Sequence, residues 1–206
     1  MNSIQHIELQ PEGGWNHSQQ IKLQPLTDKQ LGFFKRRLIK FMVKVGTANC
    51  TNLYRTFFRN SRIYLMFARL NARLMPNGSI GRRETELCIL RTAWLKKSRY
   101  EWGQHIDIGL HIGLTTEDIR RITKGPEANG WDKKEITLLR ATDEFHTDAK
   151  VADVTWKELA SYYSDKQLIE LLMLLGLYGA LAGVLNSSGV RLESEVEAIM
   201  QTLQCP

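Results

Sequence analysis

Apolar residues recur at steps of three and four along most of the chain, the spacing of helices with one buried face. Short polar cap signals precede these runs, as in Thr27-Asp28-Lys29-Gln30 and Ser164-Asp165-Lys166-Gln167. Alternating strand patterns are scarce, so the pattern predicts an all-α protein. Helices are predicted over 28–45, a short piece through 53–57, 63–74, two consecutive helices within 82–113, and then 115–123, 132–149, 155–163 and 164–185.

The first helix is expected to bury an apolar face that includes Leu31, Phe34, Leu38, Phe41 and Val45. Ahead of it, residues 1–24 have the composition of an irregular arm with a flexible joint before a docking residue, Trp15.

The run from Leu171 to Leu185 is apolar on every side. A membrane span needs about 20 such residues, so the run predicts a buried central helix and no membrane partner. Gly176, Gly179 and Gly183 allow close approach by a helix of this subunit or of a partner.

The two consecutive helices within 82–113 carry the candidate chemistry. Glu101 and His105 are four residues apart and share a helix face, with Cβ atoms roughly 5 to 6 Å apart. Glu86 lies on the preceding helix. Two carboxylates and an imidazole are the groups needed to transfer protons between substrate and enzyme.

Each of these residues also has a purely structural interpretation. Glu101 follows Ser98 by three residues, as in a capping box that satisfies the free amides of a helix start. Glu86 could be an ordinary exposed residue next to the apolar face of its helix. A single histidine on such a helix, like His105, is commonly packed or on the surface without a chemical role.

Three further residues are candidates for the substrate pocket. Tyr100 and Trp102 flank Glu101 and are expected to wall the pocket, although aromatic residues at a helix start often only pack in the core. Arg91 is the cation expected to hold a substrate carboxylate, although a helix arginine commonly faces solvent.

This segment resembles the carboxymuconolactone decarboxylase family, which includes the alkylhydroperoxidase D type of enzyme. The matching features are Arg-Glu-Thr-Glu-Leu before an apolar helix, Tyr-Glu-Trp-x-x-His, and Gly-Leu-Thr-x-Glu-Asp-Ile, within a resemblance over roughly residues 55 to 192. In the peroxidase branch a Cys-x-x-Cys pair stands where this chain has Ser98 and Glu101. The resemblance implies an alkylhydroperoxidase D-like helical bundle, with residues 51–206 as the family domain and residues 1–50 as an added arm and helix.

The resemblance also implies a function. The expected activity is a cofactor-free decarboxylase or related lyase that acts on a small carboxylated lactone or keto acid. His105 would protonate the enolate-like intermediate, Glu101 would orient or recharge His105, and Glu86 would relay protons to it. The family further implies a homo-oligomer, a trimer or a hexamer.

Two other functions remain open. Peroxidase activity, a common label of the family, is disfavoured because both cysteines of the pair are missing. The third possibility is a noncatalytic oligomer that binds small molecules.

The composition limits the classes of partner and site that we expect. The formal charge of +6 is spread along the chain in short basic pairs, without the basic stripe that nucleic-acid binding requires, so we expect no nucleic-acid partner. No secretion signal is evident, which predicts a cytoplasmic protein. Cys50, Cys88 and Cys205 are far apart, and the histidines lack companions at ligand spacing, so neither disulfides nor a metal site is expected.

Overall fold

The computed structural model describes residues 9–16, 18–45 and 49–203, and its described part contains helices and no strands. The predicted all-α class is therefore confirmed. The α-helices are α1 Asp28–Val45, α2 Thr51–Phe57, α3 Ser61–Leu74, α4 Arg82–Leu95, α5 Arg99–His111, α6 Thr116–Lys124, α7 Lys133–Asp148, α8 Asp153–Tyr162, α9 Asp165–Ser188 and α10 Ser194–Leu203, with 3-10 turns at Phe58–Asn60 and Gly125–Glu127.

Polar caps fix most of the helix starts. The Asn60 side chain accepts a hydrogen bond from the Ile63 amide, and Asp132 and Glu135 form a reciprocal capping box. The start predicted at Thr155 is wrong, since α8 begins at Asp153. The Thr155 hydroxyl is buried and donates to Glu144 at 2.7 Å, so it holds α8 against α7 and does not cap the helix.

Helix α1 differs from its predicted amphipathic face. Leu31 is buried, but Phe34 is 85% exposed and Phe41 is 60% exposed. Gly32, with φ of 68° and ψ of 180°, interrupts the helix, so the residues on its two sides do not share one continuous face. The packing of Val45 lies outside what the structure describes.

Helix α4 lies at the centre of the molecule. Every residue from Thr85 to Ala93 is buried, because α4 packs against α5, α6, α7 and α9. One hydrophobic cluster fills the space around α9, and a second joins α4, α5 and α6. The functional candidates on α4 and α5 are therefore held by rigid, densely packed helices.

Helix α9 is long and apolar enough to cross a membrane by length and composition alone, with 44% of its most apolar window buried. One face, which includes Leu171 and Leu175, packs in the core as predicted, whereas Ile169 is 64% exposed and Met173 is 47% exposed. The prediction that this helix is buried is therefore correct for one face and wrong for the other.

The N-terminal arm crosses the ends of α4 and α9. The Trp15 ring lies 5.6 Å from that of Trp94 and 5.9 Å from that of Trp102, and the Asn16 amide donates to the Lys97 carbonyl at 2.9 Å. Farther along, the Lys22 amide donates to the Ser188 carbonyl at 2.9 Å. Aromatic packing and backbone hydrogen bonds thus attach the arm to the helical domain.

Gly189 ends α9 where the arm passes. We expect Gly189→Ala to lower the free energy of unfolding by about 1 to 3 kcal/mol, since its φ of 75° disfavours a side chain and an added Cβ would collide with the Gln20 carbonyl. Urea denaturation followed by circular dichroism measures the change.

Gly176→Ala is the matched control within α9. Its Cβ would lie at an ordinary 3.8 Å from Phe145, so the better helix propensity of alanine should stabilise the protein by about 0.5 to 1 kcal/mol. Equal stability losses in both variants would contradict the proposed contact between the arm and Gly189.

Candidate functional site

The site begins at the N-terminus of α5. Glu101 lies in the first turn and His105 one turn later on the same face, as the spacing predicted. Their exposed fractions are 2% and 6%, so both side chains are withdrawn from bulk solvent. Glu86 reaches His105 from α4 and is fully buried, which excludes the exposed position considered from sequence.

His105 is oriented by a buried carboxylate. Its Nδ1 lies 2.7 Å from Glu86 Oε2, while Arg82 Nη2 lies 3.0 Å from Glu86 Oε1. A carboxylate only accepts hydrogen bonds, so Nδ1–H of His105 is the donor in this pair. His105 Nε2 hydrogen-bonds to no described residue, and the ring lines a cavity.

Glu101 is buried without a partner. Neither of its carboxyl oxygens nor the Ser98 hydroxyl makes a hydrogen bond among the described residues. The capping box predicted from Ser98 and Glu101 is therefore wrong, although Ser98 is the N-cap residue. Burial raises the pKa of Glu101 to about 8, while the nearby Ser98 hydroxyl acts in the opposite direction.

A cavity of about 370 Å³ lies between α2, α3, α5 and α9, and both Glu101 and His105 open into it. Most of its wall is apolar or aromatic. The lining residues are Met42, Cys50, Leu53, Tyr54, Tyr64, Phe67, Ala68, Asn71, Ala72, Met75, Pro76, Tyr100, Glu101, Gln104, His105, Ile108, Tyr178 and Leu181.

Of the three predicted pocket residues, Tyr100 alone lines this cavity. Trp102 packs on the other side of α5 with Trp15 and Trp94, because the next residue along a helix points about 100° away. Arg91 forms a bidentate ion pair with Asp143 at 2.6 and 2.8 Å and donates to the carbonyl of Ile122. Both predicted pocket positions are thus corrected.

Two residues that contact the Glu86–His105 pair were not predicted from the sequence. Arg82 pairs with Glu86, and their four-residue spacing was a readable signal for an ion pair. Tyr178 places its ring edge-on to His105 with centroids 5.2 Å apart. No local pattern identifies Tyr178, because it comes from α9, far along the chain.

A polar network closes one end of the cavity. The Glu193 carboxylate accepts from the Gln104 amide at 2.7 Å, from the Asn52 backbone at 2.7 Å, and from the Tyr100 hydroxyl at 3.2 Å. Burial raises the pKa of Glu193, although these donors oppose the effect. The network fixes Tyr100 and Gln104, and thereby the cavity wall, against the segment before α10.

The described thiols are poorly suited to nucleophilic attack. Burial raises the pKa of Cys50 to about 12 and that of Cys88 to about 12, which keeps both protonated. Cys205, His6 and His17 lie outside the described residues. No group of three histidine, cysteine or acidic residues in the described part of the chain has the arrangement of a metal site.

A larger hollow of about 760 Å³ lies along α1. Among its described lining residues, none has a buried polar atom without a hydrogen bond. The cavity beside His105 is therefore the better candidate for a site.

Solved structures with this fold cover nearly the whole chain. A variant of the debrominase Bmp8 in complex with 2,3,4-tribromopyrrole is 14% identical with a TM-score of 0.75, covering 90% of this chain and 99% of its own. An AhpD-core, peroxidase-related protein from Ralstonia eutropha JMP134 is 14% identical with a TM-score of 0.73, covering 87% and 96% respectively.

A protein of unknown function from Agrobacterium tumefaciens, ATU0492, is 16% identical with a TM-score of 0.62, covering 66% of this chain and 94% of its own. At such identities the likeness shows the fold alone. No curated protein sequence matches this chain significantly.

The family match covers the centre of the site. Residues 62–144 match the Carboxymuconolactone decarboxylase family, and this range contains Glu86, Glu101 and His105. The central part of the chain is therefore similar to the carboxymuconolactone decarboxylase family, and the whole chain has an AhpD-like fold.

Proposed function

We propose that this protein is an enzyme that uses no cofactor and transfers protons to and from a small molecule bound in the cavity. The observation that carries the proposal is the unpartnered Glu101 carboxyl, one helical turn from the His105–Glu86 pair, with Glu101 and His105 lining one cavity. Buried polar groups ordinarily have partners, so an orphaned carboxyl in a cavity is a mark of function.

His105 acts as the base in this proposal. Its Nδ1 proton is held by Glu86, which leaves Nε2 as an acceptor toward the cavity. Arg82 secures the far oxygen of Glu86 at 3.0 Å. Glu86 therefore positions His105 and stabilises the imidazolium that forms when Nε2 takes a proton.

Glu101 acts as the acid. With its pKa raised to about 8, most of the carboxyl is protonated at neutral pH and has a proton to give. These roles differ from those expected from the sequence, in which His105 supplied the proton and Glu101 oriented or reprotonated His105. No described hydrogen bond joins Glu101 to His105, whereas Glu86 contacts the ring directly.

Decarboxylation of a carboxylated lactone or keto acid is the specific reaction suggested by the family name. The charge distribution of the cavity gives it little support, since Arg91 is paired with Asp143 and no described lysine or arginine lines the wall. Proton transfer without loss of carbon dioxide, as in an isomerase or a hydration-type lyase, fits this wall better.

Debromination, the activity in the name of Bmp8, gives a second set of test compounds. The Bmp8 complex shows that a related fold can hold a halogenated pyrrole. For this chain a thiol-based mechanism has little support, since the described cysteines are held protonated by burial.

Hydrogen–deuterium exchange at carbon tests the proposed chemistry. In D₂O, wild-type protein should catalyse exchange next to the carbonyl of small enolisable lactones, ketones or keto acids, monitored by proton NMR. We expect His105→Gln and Glu101→Gln each to slow exchange by about 10²- to 10⁴-fold, the usual contribution of a positioned acid or base.

Glu117→Gln, an exposed change on α6, is the control and should retain wild-type exchange. Ligand binding without exchange in wild type would favour the noncatalytic binder instead. Full exchange in both site variants would refute the roles assigned to them.

The buried carboxyl also predicts a pH-dependent stability. Between its ordinary pKa of 4.5 and its folded value of about 8, Glu101 binds a proton in the folded chain but not in the unfolded chain. Its contribution to stability therefore falls as pH rises through this window, by up to about 1.4 kcal/mol per pH unit. Glu101→Gln should thus gain stability over wild type from pH 5 to pH 8 in parallel denaturation curves, whereas a constant difference would contradict the raised pKa.

We also propose that the protein is a homo-oligomer, in keeping with the trimer or hexamer expected from the family. Large apolar side chains are exposed on α1, α3 and α9, and exposed apolar surface of this kind marks a candidate interface. They are Phe33, Phe34, Phe41, Ile63, Leu65, Met66, Ile169, Met173 and Val184. Covering these side chains with a second copy would remove the apolar area from water.

Sedimentation velocity tests this assembly. Wild type should sediment as a multiple of its 23.7 kDa mass, and Met173→Lys should shift the population toward monomer, since a lysine buried in an apolar interface loses hydration. Glu117→Lys, another exposed charge change, should leave the assembly unchanged. A wild-type monomer at high micromolar concentration would count against the proposal.

A further inference from the structure

We infer that the cavity takes an uncharged ring compound bearing an O–H or N–H group, and not an organic anion. This inference rests on the proposed function only in using the same site, and it names the class of ligand. Three features of the cavity wall support it: hydrogen-bond acceptors without partners, the lack of a described lysine or arginine, and several aromatic side chains.

Three side chains of the wall carry acceptor atoms with no partner among the described residues. They are His105, through Nε2; Glu101, whose protonated carboxyl keeps one oxygen free to accept; and Asn71, through Oδ1. His105 and Glu101 belong to α5, whereas Asn71 lies on α3 across the cavity. Buried acceptors gain most from a ligand that brings donors, because each otherwise costs about 1 to 3 kcal/mol.

The same wall disfavours an anion. No described lysine or arginine lines the cavity; outside its lining, Arg82 lies within ion-pair distance of Glu86, and Arg91 is bound by Asp143. A carboxylate ligand would lose its hydration without a cation to replace it. A neutral donor avoids this cost.

The shape of the wall indicates a flat ring. Tyr54, Tyr64 and Phe67 face the cavity from α2 and α3, and Tyr178 faces it from α9. Aromatic side chains favour offset-stacked or edge-on contacts with another ring. The volume of about 370 Å³ lies near the lower end of small-molecule sites, which suits one ring or two fused rings.

An enol illustrates how such a ligand would use the site. His105 Nε2 takes the hydroxyl proton while Glu101 gives its proton to the ring carbon, which converts the enol to its ketone. The substrate gains and loses one proton, and exchange with water returns the enzyme to its starting state. No oxidant or further reactant is needed.

Three probes of the same ring size test the inference by isothermal titration calorimetry of the full chain at pH 7. They are 2-naphthol, a neutral donor; 2-naphthoate, an anion; and naphthalene, which has no polar group. We expect 2-naphthol to bind at least tenfold more tightly than either of the others. Tighter binding of 2-naphthoate, equal binding of all three, or no binding of 2-naphthol would overturn the inference.

Variants locate the donor contact. The single O–H of 2-naphthol donates to one acceptor, so either Glu101→Leu or Asn71→Leu should weaken its binding about tenfold, and both variants should leave naphthalene binding nearly unchanged. Glu101→Leu removes an orphaned buried carboxyl, so it should fold at least as well as wild type, which a thermal melt checks. Unchanged 2-naphthol affinity in both variants would refute the assigned contacts.

The binding results separate this inference from the proposed function. If 2-naphthol is preferred but no compound undergoes carbon exchange, the ligand class stands and the enzymatic role fails. If exchange requires His105 and Glu101 but the anion binds best, the enzymatic role stands and the ligand class fails.

Discussion

The structure around the site depends on burying one carboxylate completely. Glu86 is fully enclosed, and its two oxygens are compensated separately by His105 and Arg82. An isolated carboxylate in this position would cost several kcal/mol or more, so the three side chains stabilise one another only as a set. The close packing of α4 and α5 follows from this pairing as well as from apolar burial, and it fixes which nitrogen of His105 faces the cavity.

Glu101, on α5, has a different environment from Glu86, on α4. It is nearly as buried as Glu86 but has no cation and no hydrogen bond among the described residues. Burial raises the pKa of Glu101 to about 8. Because both carboxyls are buried, what distinguishes them is their partners: Arg82 and His105 contact Glu86, and neither makes a hydrogen bond or an ion pair with Glu101.

Local signals predicted much of this arrangement. The four-residue spacing placed Glu101 and His105 on one face, and capping residues located most helix starts because both effects act within one or two turns. Helical spacing already placed Trp102 about 100° from Glu101, but sequence could not show that Arg91 points elsewhere, since its partner Asp143 comes from a distant segment. Tyr178 and the orphaned state of Glu101 were equally hidden, because each depends on what packs opposite.

The two faces of α3 have different surroundings. Its inner face, with Tyr64, Phe67 and Asn71, forms a wall of the cavity, while Ile63 and Met66 on its outer face are 60% and 64% exposed. A neighbour seated on the outer face and a ligand on the inner face would both act on the position of one rigid rod. If each shifts α3, linkage requires that binding on either side change the affinity on the other by the same factor, and occupancy of the cavity would then depend on protein concentration in the proposed homo-oligomer.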